Sequence, residues 1–133
     1  MNQNIPSDSS TILLIDYADA SERLTPHFEN EGFEVKVVTD ESQAIRYLSS
    51  DAQPGVIVIN EGFQAIRGYS VIGNLKLLSK TPVVVIGPDR ESAITYSLLQ
   101  GADTYLARTT QPKVVISRIQ NLLQRSRGLV EET

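Results

Sequence analysis

Apolar residues concentrate in five short stretches, and their pattern predicts five strands. Three stretches are apolar almost throughout, which is typical of strands covered on both faces of a parallel sheet: Thr11 to Asp16, Pro54 to Asn60 and Pro82 to Gly87. Phe33 to Val38 mostly alternates apolar with polar residues, which predicts a strand with one exposed face at the sheet edge. Thr104 to Ala107 is a short fifth strand.

A helix is predicted after each strand from the spacing of apolar residues and from end signals. The first helix runs from Ser21 to Glu31, and Pro26 limits where it can begin because proline fits only the first turn. The second helix begins with a capping box formed by Asp40 and Gln43, and the third runs from Tyr69 to Ser79 after a loop from Glu61 to Gly68. The fourth helix follows Pro88-Asp89 and ends at Gln100, and the last helix is capped by Thr110. Gly32 and Gly101 fit the left-handed position after a helix.

Five strands that alternate with five helices predict an α/β fold with a mostly parallel sheet between two helical layers. An alternating second strand beside a buried first strand favours the strand order 2-1-3-4-5, the three-layer flavodoxin-like arrangement. We expect one domain over residues 11–127, a disordered tail over residues 1–10, and a tail or linker over residues 128–133.

The composition excludes several kinds of site. The 133 residues contain no cysteine and one histidine, His27, so thiol chemistry and multi-histidine metal sites are absent. A net charge of −4 without a clustered basic face argues against nucleic-acid binding. The polar start lacks the layout of a signal peptide, and no apolar run reaches the roughly 20 residues of a membrane span. We expect a cytoplasmic domain.

Polar side chains stand where the predicted strands end, at the edge of a parallel sheet where ligands and chemistry gather. This set consists of Asp16, Tyr17, Asn60, Glu61, Gly87 and Arg108. Asn60 ends the central strand, so the function of this chain depends on what an amide does there. Its simplest role is a hydrogen bond to loop backbone, and this interpretation stands beside a regulatory one.

The order and spacing of these landmarks resemble the receiver domain of two-component response regulators, over about Thr11 to Arg125. The matching stretches are Ile12 to Asp16, Pro54 to Asn60, Gly68, Pro82 to Ile86 and Gly101 to Leu106. The last of these is the most specific, because Gly-Ala-Asp before a tyrosine-led strand is frequent in receivers.

The resemblance implies five functional side chains, of which this chain keeps one. Receivers hold Mg²⁺ with an acidic pair after strand one and a phosphate-accepting aspartate that ends strand three. A hydroxyl residue ending strand four and a lysine after strand five then hold the phosphoryl oxygens. By this correspondence Asp16 is kept, whereas Tyr17, Asn60, Gly87 and Arg108 replace the other four, and Thr109 replaces the proline that follows the lysine.

Four replacements together predict a pseudo-receiver that has lost phosphorylation. A neutral amide at Asn60 is no nucleophile for phosphorus. Glu61 cannot replace it, because consecutive side chains on a strand point to opposite sides. Asp16 alone gives Mg²⁺ too few oxygen ligands, so no cofactor is expected. We also hypothesise an ion pair between Asp16 and Arg108 that locks the pocket.

The resemblance places partner contacts on the face formed by helix four, strand five and helix five. The candidate interface residues are Ile94, Tyr96, Leu99, Asp103, Tyr105, Lys113 and Arg118. The expected partners are signalling proteins or an output domain, or a second copy in which Asp103 pairs with Arg118. Tyr105 also matches the aromatic switch of receivers, although the simpler interpretation, a half-buried strand aromatic, is favoured.

Two alternatives remain open at this point. A flavodoxin-like fold also suits a binder of a flavin or nucleotide phosphate, but the loop after the first strand has no glycine to cradle one. The other alternative is a receiver phosphorylated at an atypical site. The interpretation favoured by the residues is a non-enzymatic signalling domain that works through protein contacts.

Overall fold

The computed structural model describes residues 7–17, 21–50, 53–61 and 66–132. The strands are β1 (Ser7–Asp16), β2 (Glu34–Val38), β3 (Gln53–Asn60), β4 (Val83–Gly87) and β5 (Thr104–Ala107). The helices are α1 (Ser21–Asn30), α2 (Glu41–Ser49), α3 (Ile66–Leu78), α4 (Glu91–Leu99) and α5 (Pro112–Glu132). The predicted alternation of strands and helices is confirmed.

The five strands form one parallel sheet in the order β2-β1-β3-β4-β5, which confirms the predicted topology. The apolar runs of β1, β3 and β4 occupy its centre and are completely or almost completely buried. β2 is an edge strand, and most of its residues keep some exposure. Full burial on both faces therefore accounts for apolar residues at consecutive positions in the central strands.

Alternate residues of each strand feed two separate cores, because neighbouring side chains on a strand face opposite sides of the sheet. Ile12 and Leu14 pack with α1 and α5, around Phe28 and Ile119. Leu13 and neighbouring odd-numbered residues pack with α2 and α3 on the other face. This division continues to the ends of the strands and decides which functional side chains can meet.

The predicted end signals of the helices are largely confirmed. The Gln43 N–H donates to Asp40 Oδ1 at 2.9 Å, and Gln43 Oε1 accepts from the backbone N–H of Thr39 at 2.9 Å. The hydrogen bond from the Gln43 N–H, followed by that from the Ser42 hydroxyl, holds the pKa of Asp40 below its ordinary value of 3.8. Gly32 and Gly101 have φ of 92° and 115°, the left-handed conformation that glycine adopts without strain.

Two predicted tails belong in part to regular elements. β1 begins at Ser7 rather than Thr11, and Ser7 pairs with Gln53, so neighbouring β3 supplies the pairing that the polar sequence does not indicate. Residues 1–6 of the predicted tail lie outside the described part of the chain. α5 continues through Gly128 to Glu132, since one glycine costs a helix only about 1 kcal/mol.

Three local helix predictions were wrong. Pro26 lies inside α1 as its sixth residue, so it does not mark the start of that helix. α3 begins at Ile66, which makes the last part of the predicted loop helical, while residues 62–65 lie outside the described part. The residue before α5 is Gln111 rather than Thr110, because the Gln111 carbonyl accepts the N–H of Val115.

None of the described helices has the length and apolar character that a membrane span requires.

Candidate functional site

The sheet register brings the predicted site residues to one edge. Asp16 of β1 lies directly beside Asn60 of β3, and Gly87 of β4 lies beside Ala107 of β5. The ladder continues one residue past the strands, because the Tyr17 N–H donates to the Asn60 carbonyl and the Arg108 N–H to the Gly87 carbonyl, both at 2.8 Å. These backbone bonds fix the positions from which the functional side chains project.

The side chains at this edge divide between the two faces of the sheet. Asn60 and Arg108 face the α1 and α5 side, where they line a cleft with Arg23, Leu24, Ile86, Thr110 and Val115. We call this cleft, together with Asp16, the Asn60 cleft. Tyr17 and Tyr105 pack on the core of the opposite face. We call Gly87, Pro88, Glu61 and Tyr105 the Tyr105 side.

A buried hydrogen bond joins the two polar residues at the centre of the Asn60 cleft. Asn60 Nδ2 donates to Asp16 Oδ1 at 3.0 Å, and both residues are only 5% exposed. The partner described for the amide is thus a carboxylate, whereas the simplest role considered from the sequence was a hydrogen bond to loop backbone. A hydrogen bond to a carboxylate is stronger than one between two neutral groups. It offsets part of the free-energy cost of burying these two polar side chains away from water.

The Arg108 side chain reaches from the end of β5 to the end of β3. Its Nη2 donates to the backbone carbonyl of Glu61 at 3.1 Å, in a partly buried position. The guanidinium therefore ties the end of β5 to the end of β3. The contacts described for Asp16 and Arg108 lead to Asn60 and to Glu61, and the predicted ion pair between them stays a prediction.

The Asn60 cleft is small, and its oxygen ligands do not fit a divalent cation. Its cavity volume is about 10 Å³, which suits one water molecule. Within the described part of the chain, no group of three acidic, histidine or cysteine side chains is placed to hold a metal ion. Mg²⁺ prefers several oxygen ligands in octahedral geometry, whereas Asp16 already accepts from Asn60.

The Tyr105 side is built around a missing side chain. The Tyr105 hydroxyl donates to the Pro88 carbonyl at 2.7 Å. A Cβ atom on Gly87 would lie 2.5 Å from that hydroxyl and 3.3 Å from Tyr105 Cζ. The ring therefore occupies space that exists because residue 87 is glycine.

Glu61 is buried on the same side, with 1% of its surface exposed. Its Cβ lies 3.5 Å from the place of a Gly87 Cβ, which confirms that it faces away from the Asn60 cleft. Sequence reasoning had not indicated this burial of a carboxylate. It also missed Arg23 and Thr110 as lining residues, although a first-turn arginine after β1 is placed to reach the edge where the strands end.

The predicted interface residues differ in how available they are. Tyr96 and Leu99 are 50% and 80% exposed, and Lys113 and Arg118 are also exposed, whereas Ile94 and Tyr105 are partly buried. Asp103 Oδ2 accepts from the Val83 N–H at 2.8 Å and from Lys76 Nζ at 3.1 Å. Asp103 thus has partners within its own chain, and its pairing with Arg118 of a second copy stays a prediction. Helical spacing predicts Leu98 and Val114 in the core, and this prediction is wrong, because both side chains are exposed on the same helices.

Comparison with known proteins gives sequence relatives and structural neighbours of one kind. No family model matches this sequence. The response regulator SaeR of Staphylococcus aureus strain USA300 is 28% identical over 116 residues, which cover 86% of this chain and 50% of that protein. The chain therefore spans about half the length of the curated relatives that it matches.

Solved structures share the whole fold. A two-component response regulator from Clostridium difficile superposes with a TM-score of 0.78 and 19% identity, covering 89% of this chain and 98% of the other. A CheY-like receiver domain protein from Methanospirillum hungatei JF-1 gives 0.79 and 17%, covering 91% and 98%. The structural neighbours establish the fold, and with the similarity to SaeR they support a response-regulator receiver domain of the CheY-like type.

Proposed function

We propose that this chain is a cytoplasmic receiver-type signalling domain that acts through protein contacts and accepts no phosphoryl group. As a signalling domain it works by presenting a surface, not by turning over a substrate. The observation that carries the proposal is the buried hydrogen bond from Asn60 Nδ2 to Asp16 Oδ1 at 3.0 Å. It involves the two side chains that the resemblance assigns to the acceptor and to the metal.

The side chain at the acceptor position is not a nucleophile for phosphorus. An amide side chain is neutral, and the lone pair of its nitrogen is delocalised into the carbonyl, so it does not attack phosphorus as a carboxylate does. Asn60 also uses its nitrogen to donate to Asp16. Glu61, the nearest carboxylate along the chain, is buried on the opposite side of the sheet.

The side chains that would hold a phosphoryl group are replaced as well. Gly87 has no hydroxyl to follow a phosphoryl oxygen. Arg108 keeps a positive charge at the lysine position, but its guanidinium donates to the Glu61 carbonyl. The cavity that the described residues form beside Asn60 has a volume of about 10 Å³, which suits one water molecule and not a flavin or a nucleotide.

The face formed by α4, β5 and α5 is the surface to which partners bind. α4, β5 and α5 present exposed apolar side chains, Tyr96 and Leu99, next to the charged residues Lys113 and Arg118. A mixed surface of this kind suits a signalling protein, an output domain or a second copy of the chain. If the partner is a second copy, sedimentation will show a dimer that Arg118→Ala weakens. A monomer at high concentration would reject that partner and leave the others.

Intact mass measurement after incubation with acetyl phosphate and Mg²⁺ tests the proposal. The wild-type mass should stay unchanged, because the nucleophile and the metal site are both missing. A matched variant with Tyr17→Asp, Asn60→Asp, Gly87→Thr and Arg108→Lys restores the four side chains and serves as the positive control. A wild-type protein that gains one phosphoryl group would overturn the proposal, and peptide mapping would then identify the atypical acceptor.

A further inference from the structure

The sheet edge opposite β5 is open to a further strand. In the described part of the chain β2 pairs with β1 alone, so the backbone groups on its outer side have no strand beside them. Val38 is the only one of its five residues that is buried, and Val37 is 38% exposed. An edge strand of this kind offers outward N–H and C=O groups to an extended segment of another chain.

A groove lies beside this edge, between β2 and α2. Its volume of about 470 Å³ falls within the range of about 300 to 1,000 Å³ that is typical of ligand-binding clefts. It lies against Lys36 and Val37 of β2 and against Gln43, Arg46 and Tyr47 of α2. The α2 residues are spaced by three and four, so they share one face of the helix. We call this groove the β2 groove.

The β2 groove carries two positive charges on the same side of the sheet. Lys36 shares a face of β2 with Val38, which packs in the core under α2, so Lys36 lies on the α2 side with Arg46. Neither Lys36 nor Arg46 forms an ion pair with any residue that the structure describes. Both cations are therefore available to an acidic group from outside.

The acidic residues nearest to these cations along the chain do not neutralise them. The Gln43 N–H is the main cause that lowers the pKa of Asp40, and Arg46 contributes least, because the Asp40 carboxylate is engaged at the start of α2. Glu34 shares the face of β2 with Lys36 but is not among the residues that line the groove. The groove is thus a basic site in a chain whose net charge is −4.

The two faces of β2 require different side chains from an added strand. Val35 packs on the core under α1 and α5, so exposed Val37 lies on that face, opposite to Lys36. Side chains of a strand added beside β2 would alternate between the same two faces. Acidic residues at every second position would then meet Lys36 and Arg46, and apolar residues between them would cover Val37.

A second copy of this chain fits the edge poorly. Antiparallel pairing of two β2 strands in full register is centred on Lys36, so it would set two Lys36 side chains directly opposite each other. Like charges at directly opposed positions are destabilising. Charge complementarity therefore favours an acidic segment of a different protein.

We infer that the β2 edge and the β2 groove bind an extended segment of another protein that alternates acidic with apolar residues and adds to the sheet as a strand. β2 and β5 lie at opposite edges of the sheet, so this site is separate from the face formed by α4, β5 and α5. One chain can therefore hold two partners at once. The inference goes beyond the proposed function and does not depend on whether the chain is phosphorylated.

An NMR titration of the full chain with a hexapeptide of alternating glutamate and valine, blocked at both ends, tests the inference. The amide resonances of β2 and of Arg46 should shift and saturate, with a Kd of about 1 mM or below. A hexapeptide with lysine in place of glutamate should leave them in place. At saturation, amide exchange should slow about tenfold at one or more β2 residues, because the peptide backbone accepts their outward N–H groups.

Charge reversal should exchange the preference between the two peptides. The double variant Lys36→Glu with Arg46→Glu should bind the glutamate peptide at least about tenfold more weakly and should bind the lysine peptide instead. Lys36→Ala with Arg46→Ala should bind both peptides weakly, which separates lost attraction from a damaged fold. Lys113→Glu with Arg118→Glu makes the same change of net charge on α5 and should bind like the wild type.

Four results would overturn the inference. They are no saturable shift with the glutamate peptide, equal binding of the two peptides, unchanged amide exchange in β2 at saturation, or equal binding of inorganic phosphate or oligothymidylate at the same residues. A wild-type dimer that Lys36→Glu with Arg46→Glu dissociates would also overturn it, in favour of a second copy. Phosphoryl transfer to the wild type would refute the proposed function and leave these results unchanged.

Discussion

The Asn60 cleft and the Tyr105 side lie at the same edge of one sheet, yet they are held in place by opposite means. In the cleft, an amide and a carboxylate satisfy each other through a buried hydrogen bond. On the Tyr105 side, the absence of a side chain at Gly87 makes room for a hydroxyl that binds the Pro88 carbonyl. One side is held by a hydrogen bond between two side chains, and the other by a tyrosine that fills the space beside a glycine.

The comparison shows that the same sheet edge is held by a charged hydrogen bond on one face and by steric fit on the other. The polar contact should respond to a change of charge, whereas the steric one should respond to the size of residue 87. Arg108 links the end of β5 to the end of β3 at this edge, because its guanidinium donates to the backbone carbonyl of Glu61. Substitutions that separate charge from shape therefore test the comparison directly.

The largest effect is expected from Asn60→Asp, which turns the hydrogen bond into two adjacent carboxylates. Repulsion between buried like charges should lower the free energy of unfolding by about 2 to 4 kcal/mol at pH 7. Urea unfolding of both proteins measures the difference. Equal stability at pH 7 would show that the cleft is not governed by charge.

The pH and metal dependence of this variant sharpen the test. Repulsion raises the pKa of the introduced carboxyl above its unfolded value, so the loss is present above the raised pKa and disappears below about pH 3.9. Mg²⁺ should restore part of the stability of the variant, because it binds between carboxylates. The wild-type unfolding curve should not move with Mg²⁺, and a stabilised wild type would contradict the account of its donors.

A smaller loss is expected from Asp16→Ala, which leaves the buried Asn60 amide without its acceptor. The cost of an unsatisfied buried donor is about 1 to 3 kcal/mol. Asp16→Asn keeps an oxygen in place and is the matched control, with a smaller loss expected. If both variants unfold at the wild-type urea concentration, the hydrogen bond contributes nothing to holding the cleft.

Arg108→Ala should have a still smaller effect, about 0.5 to 1.5 kcal/mol, because it removes one hydrogen bond to a partly buried carbonyl. Arg108→Lys keeps the charge but loses the planar guanidinium, so it separates charge from geometry. If the lysine variant loses as much free energy of unfolding as the alanine variant, the planar geometry of the guanidinium and not its charge stabilises this link. The same urea series measures all three proteins.

The smallest effect is expected at Asp40, which caps α2 away from both regions. Its pKa is lowered in the folded protein, so its contribution to stability is present above its ordinary value of 3.8 and is lost as the pH falls through the folded value. Asp40→Asn keeps the cap without the charge and should remove this pH dependence. Thermal unfolding between pH 3 and pH 6 should reveal the difference, and an unchanged dependence would contradict the assigned cause.

The sequence predicted the fold well because burial imposes a readable pattern. Continuous apolar runs in β1, β3 and β4 indicated central strands, and the mixed pattern of β2 indicated an edge. Element ends were predicted less well where another strand or helix supplies the stabilising contact. Ser7, for example, becomes strand because it pairs with Gln53, forty-six residues away along the chain.

The positions in the candidate site were also readable, but their contacts were not. Strand ends and spacing placed Asp16, Asn60, Gly87 and Arg108 at one edge, and the register brings them there. Asn60 donates to Asp16, and Arg108 donates to the Glu61 carbonyl. These partners depend on side-chain rotamers and on distances across the sheet, which the sequence does not contain. The hydrogen bond from the Tyr105 hydroxyl to the Pro88 carbonyl likewise depends on the three-dimensional distance between Tyr105 and Gly87.

The central claim is that the closed edge does not respond to a phosphoryl group, and an NMR titration with beryllofluoride and Mg²⁺ tests it most directly. Beryllofluoride stands in for a phosphoryl group without needing a donor, so the titration isolates binding at the strand ends from transfer. We predict that the amide resonances of Asn60, Gly87 and Arg108 stay in place throughout. A second set of resonances at these three residues that saturates with added beryllofluoride would contradict the claim.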